Sequence, residues 1–311
     1  MKNMIKYTVM IIPLILLITN CSDFTAPERY DNDYFMVNGL LKEGEPITPE
    51  NPILITKTID VESGNINEIF PDSIISQVRV TEKETGDFID LQPFTVDSLG
   101  MEINLFYYDT SFEFIIESEK TYRLSISLDS GDSIWAETTV PKHIELKSNS
   151  AFSDSLTDTL PELDYDNANT DHPLRIECST DETIQLYFKF YCLEEYYNAE
   201  YITDYGDEDT PEDEYDYEDP VDGSPRKITW YSYYKPALEN STYFITDSGY
   251  KSNLLFYGRY SITTLSIDDN YFKYLYKPEG FNHGGIESNN DRAKGYFGSA
   301  SGNTIYTKVV E

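Results

Sequence analysis

The chain has 311 residues with 40% hydrophobic content, and its 23 basic residues face 56 acidic ones for a formal net charge of −33. So acidic a surface is repelled by phosphate backbones, which excludes nucleic acid as a partner. Its length exceeds what one hydrophobic core usually serves, so two folded domains are expected.

The first twenty residues place Lys2 and Lys6 before an apolar run from Tyr7 to Ile18, followed by Thr19, Asn20 and Cys21. A charged start, a short apolar run and a small exit describe a signal peptide over 1–20, since a bilayer crossing needs about 20 apolar residues. Ile18-Thr19-Asn20-Cys21 reads as a lipobox, with Asn20 in place of the usual Gly, Ala or Ser. Cys21 would carry a thioether-linked diacylglycerol and, on its freed amine, a further acyl chain such as palmitate. Cleavage would leave 21 basic against 56 acidic residues, a net charge of −35. Two or more acyl chains anchor such a body without a polybasic patch, at about 0.8 kcal/mol per buried methylene. Ser22 rather than an aspartate after the cysteine points, by analogy with Gram-negative sorting, to the outer membrane. Residues 21–33 are polar and acidic and suit a lipid-anchored tether.

From Tyr34 the chain becomes a series of short apolar or alternating runs: Tyr34 to Leu41, Ile53 to Ile59, Ile74 to Thr81, Phe88 to Leu91, Ile103 to Tyr107 and Phe112 to Ile116. Tyr122-Leu124-Ile126-Leu128 then alternates with polar residues, turns through Asp129-Ser130-Gly131-Asp132 and returns as Ile134 to Val140. That is a β-hairpin by period and turn chemistry. The whole of 34–141 reads as an immunoglobulin-like β-sandwich, with Trp135 and the phenylalanines in its core.

A second, mostly antiparallel β domain with one short helix is expected over 142–311. Ile144 and Leu146 form a first short strand, 147–172 reads as a polar loop or linker, and strands follow at 174–178, 183–193, 226–234, 253–265 and 303–310. The helix has Ser266 or Asp268 as cap, Asp268 and Asp269 at its positive end, Lys273 and Lys277 near its negative end, and Pro278 and Gly280 as stops. Tyr271 and Leu275 would share its buried side. If 174–178 and 183–193 form a hairpin, Cys178 and Cys192 lie about 26 Å apart, far beyond the ~5.5 Å between Cα atoms that a disulfide needs. Two buried free thiols are expected.

These features occur in a particular order: a lipid-anchored start, Val37-Asn38-Gly39 in the first strand, the hairpin from Tyr122-Arg123-Leu124 to Thr139-Val140-Pro141, the short Tyr271 to Tyr276 helix, and a terminal Gly295-Tyr296-Phe297-Gly298 strand. Together they resemble the Bacteroidota lipoproteins known as the domain of unknown function 4249 family, over most of the mature chain. The resemblance implies an outer-membrane or surface lipoprotein, often associated with TonB-dependent transporters, and supplies no catalytic residues. The acidic insertion after Tyr201 departs from it.

Within that insertion, the loop 204–222 holds eleven acids in nineteen residues. Calcium loops space their ligands around a turn glycine, as Asp207-Glu208-Asp209-Thr210-Pro211 does not, so a solvated loop is the better reading. Eighteen of the 27 tyrosines fall between Tyr187 and Tyr276, and exposed rings could stack on sugars, although tyrosine equally suits half-buried strands. Gly131-Asp132-Ser133-Ile134 resembles a GDS esterase block but lies in a hairpin, with no Asp-x-x-His downstream. Gly298-Ser299-Ala300-Ser301-Gly302 puts alanine at the nucleophile position of G-x-S-x-G. His143, His172 and His283 lack H-E-x-x-H spacing, so no zinc site is read and no cofactor is implied. Fifty-six acids make chance carboxylate pairs inevitable, which leaves glycosidase chemistry open. Three readings result: a noncatalytic accessory lipoprotein beside a TonB-dependent transporter, a glycan-binding lipoprotein with a row of coplanar exposed aromatics, and a carboxylate-dependent hydrolase.

Overall fold

The computed structural model describes residues 34–57, 74–98, 101–147, 149–168, 174–178, 185–194, 200–202, 217–218, 227–236, 242–245, 253–254, 256–277 and 284–311. The signal segment 1–20, Cys21, the tether 21–33, His172 and His283 lie outside them. The first half comprises β1 (Phe35–Lys42), β2 (Ile53–Lys57), β3 (Ile75–Glu82), β4 (Phe88–Ser98), β5 (Met101–Tyr108), β6 (Thr121–Leu128) and β7 (Ser133–Thr139). Next come β8 (Ile144–Lys147), β9 (Glu162–Asp164), β10 (Leu174–Cys178), β11 (Gln185–Cys192), β12 (Glu200–Tyr201), β13 (Tyr217–Glu218), β14 (Lys227–Pro236) and β15 (Thr242–Ile245). The chain ends with β16 (Phe256–Ile267), helix α1 (Asp269–Tyr276), β17 (Glu287–Ser288) and β18 (Ala293–Val310). The protein is all-β with one short helix, and no helix among the described residues is long and apolar enough to cross a membrane.

One path of hydrogen bonds runs β13-β14-β11-β16-β18-β1-β2-β5-β4-β3-β6-β7-β17, while β15-β10-β8 form a separate small sheet. The path curls because β4 changes partners. Its residues 88–91 pair with β3, and 92–98 pair with β5. The curl faces β1 and β2 toward β3, β6 and β7, so that Val37, Ile55, Val80, Leu124 and Ile126 belong to one buried cluster. Tyr122 ends its ring in that core, and its Oη accepts the Glu117 backbone N–H at 2.9 Å, in the manner of the tyrosine corner of β-sandwiches.

The second cluster is built by strict alternation. On β11, Leu186, Phe188, Phe190 and Cys192 are fully buried while Gln185, Tyr187, Lys189 and Tyr191 face outward. Burying each phenylalanine contributes about 2–3 kcal/mol. Residues 34–140 and 144–309 supply separate clusters, except that Ala293 and Phe297 of β18 join the first. Strand β18 serves both: its first half pairs parallel with β1 and its second half antiparallel with β16.

Several expectations need correction. Phe112 to Ile116 is a loop rather than a strand, with Phe112 at φ 56°. Trp135 lies on the outer face of β7, half-buried, donating from Nε1 to Glu287 Oε2 at 2.8 Å, and Phe88, Phe94 and Phe112 are exposed. The stretch 147–172 is no loose linker, because Phe152, Leu160, Leu163 and Tyr165 are buried and β9 pairs with the end of β18. β10 and β11 form no hairpin: β10 pairs with β8 and β15, and β11 with β14 and β16. Cys192 is free and buried, in a different sheet from Cys178, whose side chain lies outside the described residues. Asp268, not Ser266, caps the helix, and Leu275 is exposed. Of the acidic stretch 204–222, Tyr217–Glu218 pair with Lys227 and Ile228, and the remainder lies outside the described residues.

Candidate functional site

The centre of the molecule is the run Gly298-Ser299-Ala300-Ser301-Gly302, where β18 passes from β1 to β16. Its small residues answer to crowding on both faces. A Cβ on Gly298 would stand 2.7 Å from Tyr271 Cβ and 2.8 Å from Asp268 Oδ1, and Gly302, at φ +154°, would place one 2.1 Å from Thr264 O. The similarity to a nucleophile elbow is therefore a packing effect.

Asp268 ties three elements together here. Its Oδ1 accepts the backbone N–H groups of Tyr271 and Ser299, each at 3.0 Å, and its Oδ2 accepts Thr138 Oγ1–H at 2.7 Å. Thr138 Oγ1 lies 2.7 Å from Ser299 Oγ, which donates to Thr139 O at 3.0 Å. Burial raises the Asp268 carboxyl above the ordinary aspartate range, against the lowering effect of those hydrogen bonds. Beside it, Asn270 Nδ2 donates to Glu137 O at 2.8 Å. Asn270 and Ser299 thus cap backbone carbonyls of β7 where its short neighbour β17 has ended, which protects that sheet edge.

On the outer face of the β1, β18, β16 and β11 segment lies a cleft of about 330 Å³. β11 contributes Tyr187, Lys189 and Tyr191, β1 contributes Lys42, and Glu43 and Glu45 stand on the wall. Glu43 Oε2 receives His143 Nδ1 at 2.6 Å and also the Ser301 hydroxyl. Burial pushes the Glu43 carboxyl up, but hydrogen bonds from Ser301 and His143, with the His143 charge, together hold it below the usual range. Serine, carboxylate and imidazole stand in the order Ser301, Glu43, His143. In a Ser-His-carboxylate triad the imidazole stands between the serine and the carboxylate, so this order is not that triad. The raised carboxyl, Asp268, is enclosed at the helix cap and does not line the cleft.

The tyrosines near the cleft do not make a coplanar row. Tyr187 meets Tyr271 at 62°, Tyr271 meets Tyr296 at 36°, and Lys189 Nζ sits 4.1 Å over the Tyr191 ring. Among the described residues no group of three His, Cys, Asp or Glu could hold a metal ion. Of the residues singled out in the sequence, His143 and the 298–302 run come together here, while Cys21 lies outside the described residues. Apart from the helix-cap bond of Asp268 to Tyr271, the roles of Glu43 and Asp268 as hubs could not be read in advance, because their other partners lie 31 to 258 positions away.

The architecture is that of an all-β protein whose final strand stitches two cores together. The chain belongs to the family described as Domain of unknown function (DUF4249), whose model matches residues 22–304. No curated protein matches it. Among solved structures, a chain from "Structural insight into host cell surface retention of a 1.5-MDa bacterial ice-binding adhesin" is similar at 9% identity with a TM-score of 0.20, over 90% of this chain and 65% of that one. The chain therefore spans less than two thirds of that chain's length, and at such a score the likeness carries no argument.

Proposed function

We propose that the protein is a lipid-anchored outer-membrane or surface protein that acts as a noncatalytic accessory subunit beside a TonB-dependent transporter. The observation that carries this reading is Ile18-Thr19-Asn20-Cys21 at the end of the short apolar run. Acyl chains on Cys21 would confine the β body to within a few nanometres of the membrane, which raises its effective concentration against any membrane-embedded partner and lets weak contacts suffice. The transporter is what the family resemblance implies. The order Ser301, Glu43, His143 supports a noncatalytic role, since it is not the order of a Ser-His-carboxylate triad. The net charge of −33 favours a partner surface that is locally basic, so association should weaken as salt rises.

Membrane fractionation with metabolic labelling by a palmitate analogue tests the anchor. The wild type is expected in the membrane fraction and labelled, and Cys21→Ala released and unlabelled. A soluble or unlabelled wild type refutes the anchor. Affinity purification from gently solubilised membranes tests the partnership. Recovery of the protein alone, together with hydrolysis of a glycan or ester panel, refutes the subunit reading.

A further inference from the structure

An aromatic patch at one end of the first sandwich is left in water. Phe94 on β4, Tyr108 at the end of β5 and Phe112 form a contiguous set, with ring centroids 6.0 Å and 6.1 Å apart. Phe94 is 38% exposed, Phe112 49% and the nearby Ile115 45%. Scattered exposed apolar residues are ordinary, but this set is held in place.

The hold comes from Asp109, which is fully buried at the root of the loop. Its Oδ1 accepts the N–H and hydroxyl of Ser111 at 2.8 Å and 2.6 Å, and its Oδ2 accepts the Phe114 N–H at 3.0 Å. Burial pushes this carboxyl up, and those hydrogen bonds outweigh it and keep it ionised. On the far side, Gly44 N–H donates to Ile116 O at 2.8 Å and Ile116 N–H to Glu45 O at 3.1 Å, so the loop is clamped to the end of β1. Phe114 and Ile116 turn inward, while Phe112 is forced outward in the left-handed region at φ 56°, a conformation costly for a bulky side chain. The loop thus commits a buried charge and a strained backbone to displaying one aromatic ring.

We infer that this patch is the docking surface for a partner protein, with Phe112 inserting into an apolar pocket whose rim is basic. This deepens the subunit reading and rests on it. The rim follows from charge: Glu113, Glu117 and Glu119 are exposed on the same loop and make no ion pair among the described residues. The neighbouring cations are already engaged, Lys42 with Glu45 at 3.7 Å and Lys120 with Glu82 at 3.2 Å. An aromatic knob on a loop that carries three exposed carboxylates is repelled by an anionic lipid surface and matched by a cationic protein rim. Position agrees with charge. The loop is bonded just past the Lys42 end of β1, whereas the anchor-bearing segment enters at Phe35, about 23 Å from Lys42 at 3.3 Å per residue.

The test uses the full chain in its own membranes, carrying the photoreactive phenylalanine analogue p-benzoylphenylalanine at position 112. A control carries it at 88, where the ring is exposed but covered by the Arg79 guanidinium at 3.9 Å. Illumination is expected to give one discrete adduct with another protein from position 112 and none from 88. The adduct should fall at least about tenfold with Phe94→Ser, and likewise with Glu113, Glu117 and Glu119 all changed to Lys. Its cross-linked peptide should hold apolar residues flanked by Lys or Arg. An adduct to lipid, to the same chain or to a second copy overturns the inference, as does an adduct indifferent to the charge reversal. If a partner co-purifies while the probe at 112 stays silent, the patch is refuted and the subunit reading stands. If nothing co-purifies and the probe is silent, both fail. Should Phe94→Ser unfold the protein, Phe112→Gly replaces it, because glycine accepts that backbone conformation freely; it too must abolish capture of a partner in the affinity purification.

Discussion

Asp268 offers the sharpest check on the reasoning, because its surroundings can be counted proton by proton. Three contacts link Asp268 Oδ2, Thr138 Oγ1, Ser299 Oγ and Thr139 O in a chain, and the two hydroxyls bring only two protons to them. With the carboxylate ionised, one contact has no hydrogen to share. A proton on Asp268 completes the chain, in agreement with the upward displacement that burial imposes on this carboxyl. An asparagine does the same permanently: its oxygen keeps the Tyr271 and Ser299 N–H bonds, and its NH₂ donates to Thr138. Asp268→Asn should therefore change stability by less than about 1 kcal/mol at neutral pH. Asp268→Ala removes the helix cap, worth about 1 kcal/mol. It also strands the buried Ser299 N–H, while the Thr138 hydroxyl can still donate to Ser299 Oγ, for a total of about 3 kcal/mol.

The pH dependence follows in sign. A carboxyl whose folded pKa is raised contributes stability that is fully present below its unfolded value, about 3.9, and is lost as pH rises through the folded pKa. The stability of Asp268→Asn relative to the wild type should accordingly grow from pH 4 to pH 7. Both proteins still weaken in acid through Glu43, Asp90, Asp109 and Glu194, whose carboxyls are held low, so the difference is the quantity to follow. Urea unfolding monitored by tryptophan fluorescence across that range measures it. An asparagine variant as unstable as the alanine one, or a difference flat with pH, would refute the proton count.

Phe112→Gly should be more stable than Phe112→Ala by about 1 kcal/mol, the reverse of the usual order, because both lose the ring and only glycine is at ease at φ 56°; urea midpoints of the pair decide it. Gly298→Ala should cost about 2 kcal/mol, since a methyl 2.7 Å from Tyr271 Cβ has to push α1 off β18; an unchanged unfolding midpoint would mean that the helix seat is looser than the geometry says. Cys192, fully buried and with its thiol pushed up to about 11 by burial, should escape iodoacetamide at pH 8 in the native protein and react once unfolded. Peptide mass spectrometry reads the modification directly, and native labelling would place that thiol at the surface.

Much of the local structure was legible. The alternation of Tyr122 to Leu128 and of Ile134 to Val140 around Asp-Ser-Gly-Asp marks a hairpin, which the register Thr121↔Thr139 to Ser127↔Ser133 fits. Asp268-Asp269 before an apolar stretch that stops at Pro278 marks a helix start. Residue type alone does not specify environment. Phe112-Glu113-Phe114-Ile115-Ile116 is apolar enough for a strand, and the signal that it is not lies just before it, in Asp109 and Ser111, whose side chains bond the backbone of a turn. Trp135 sits in a perfectly alternating strand, on the face opposite the buried Ile134 and Ala136, and only its size argued for the core.

Period and punctuation are local properties: which segments are extended, which face of each is apolar, and where turns and the helix cap fall all depend on neighbours within a few residues. Partner choice lies beyond that range. That β1 pairs in parallel with β18 across some 250 residues, that β10 and β11 part company, and that Glu43 meets Ser301 and His143 were decided by the tertiary structure alone. Pairing energy is set by two faces fitting together, and a single strand carries the pattern of its own face without any record of which other strand will cover it.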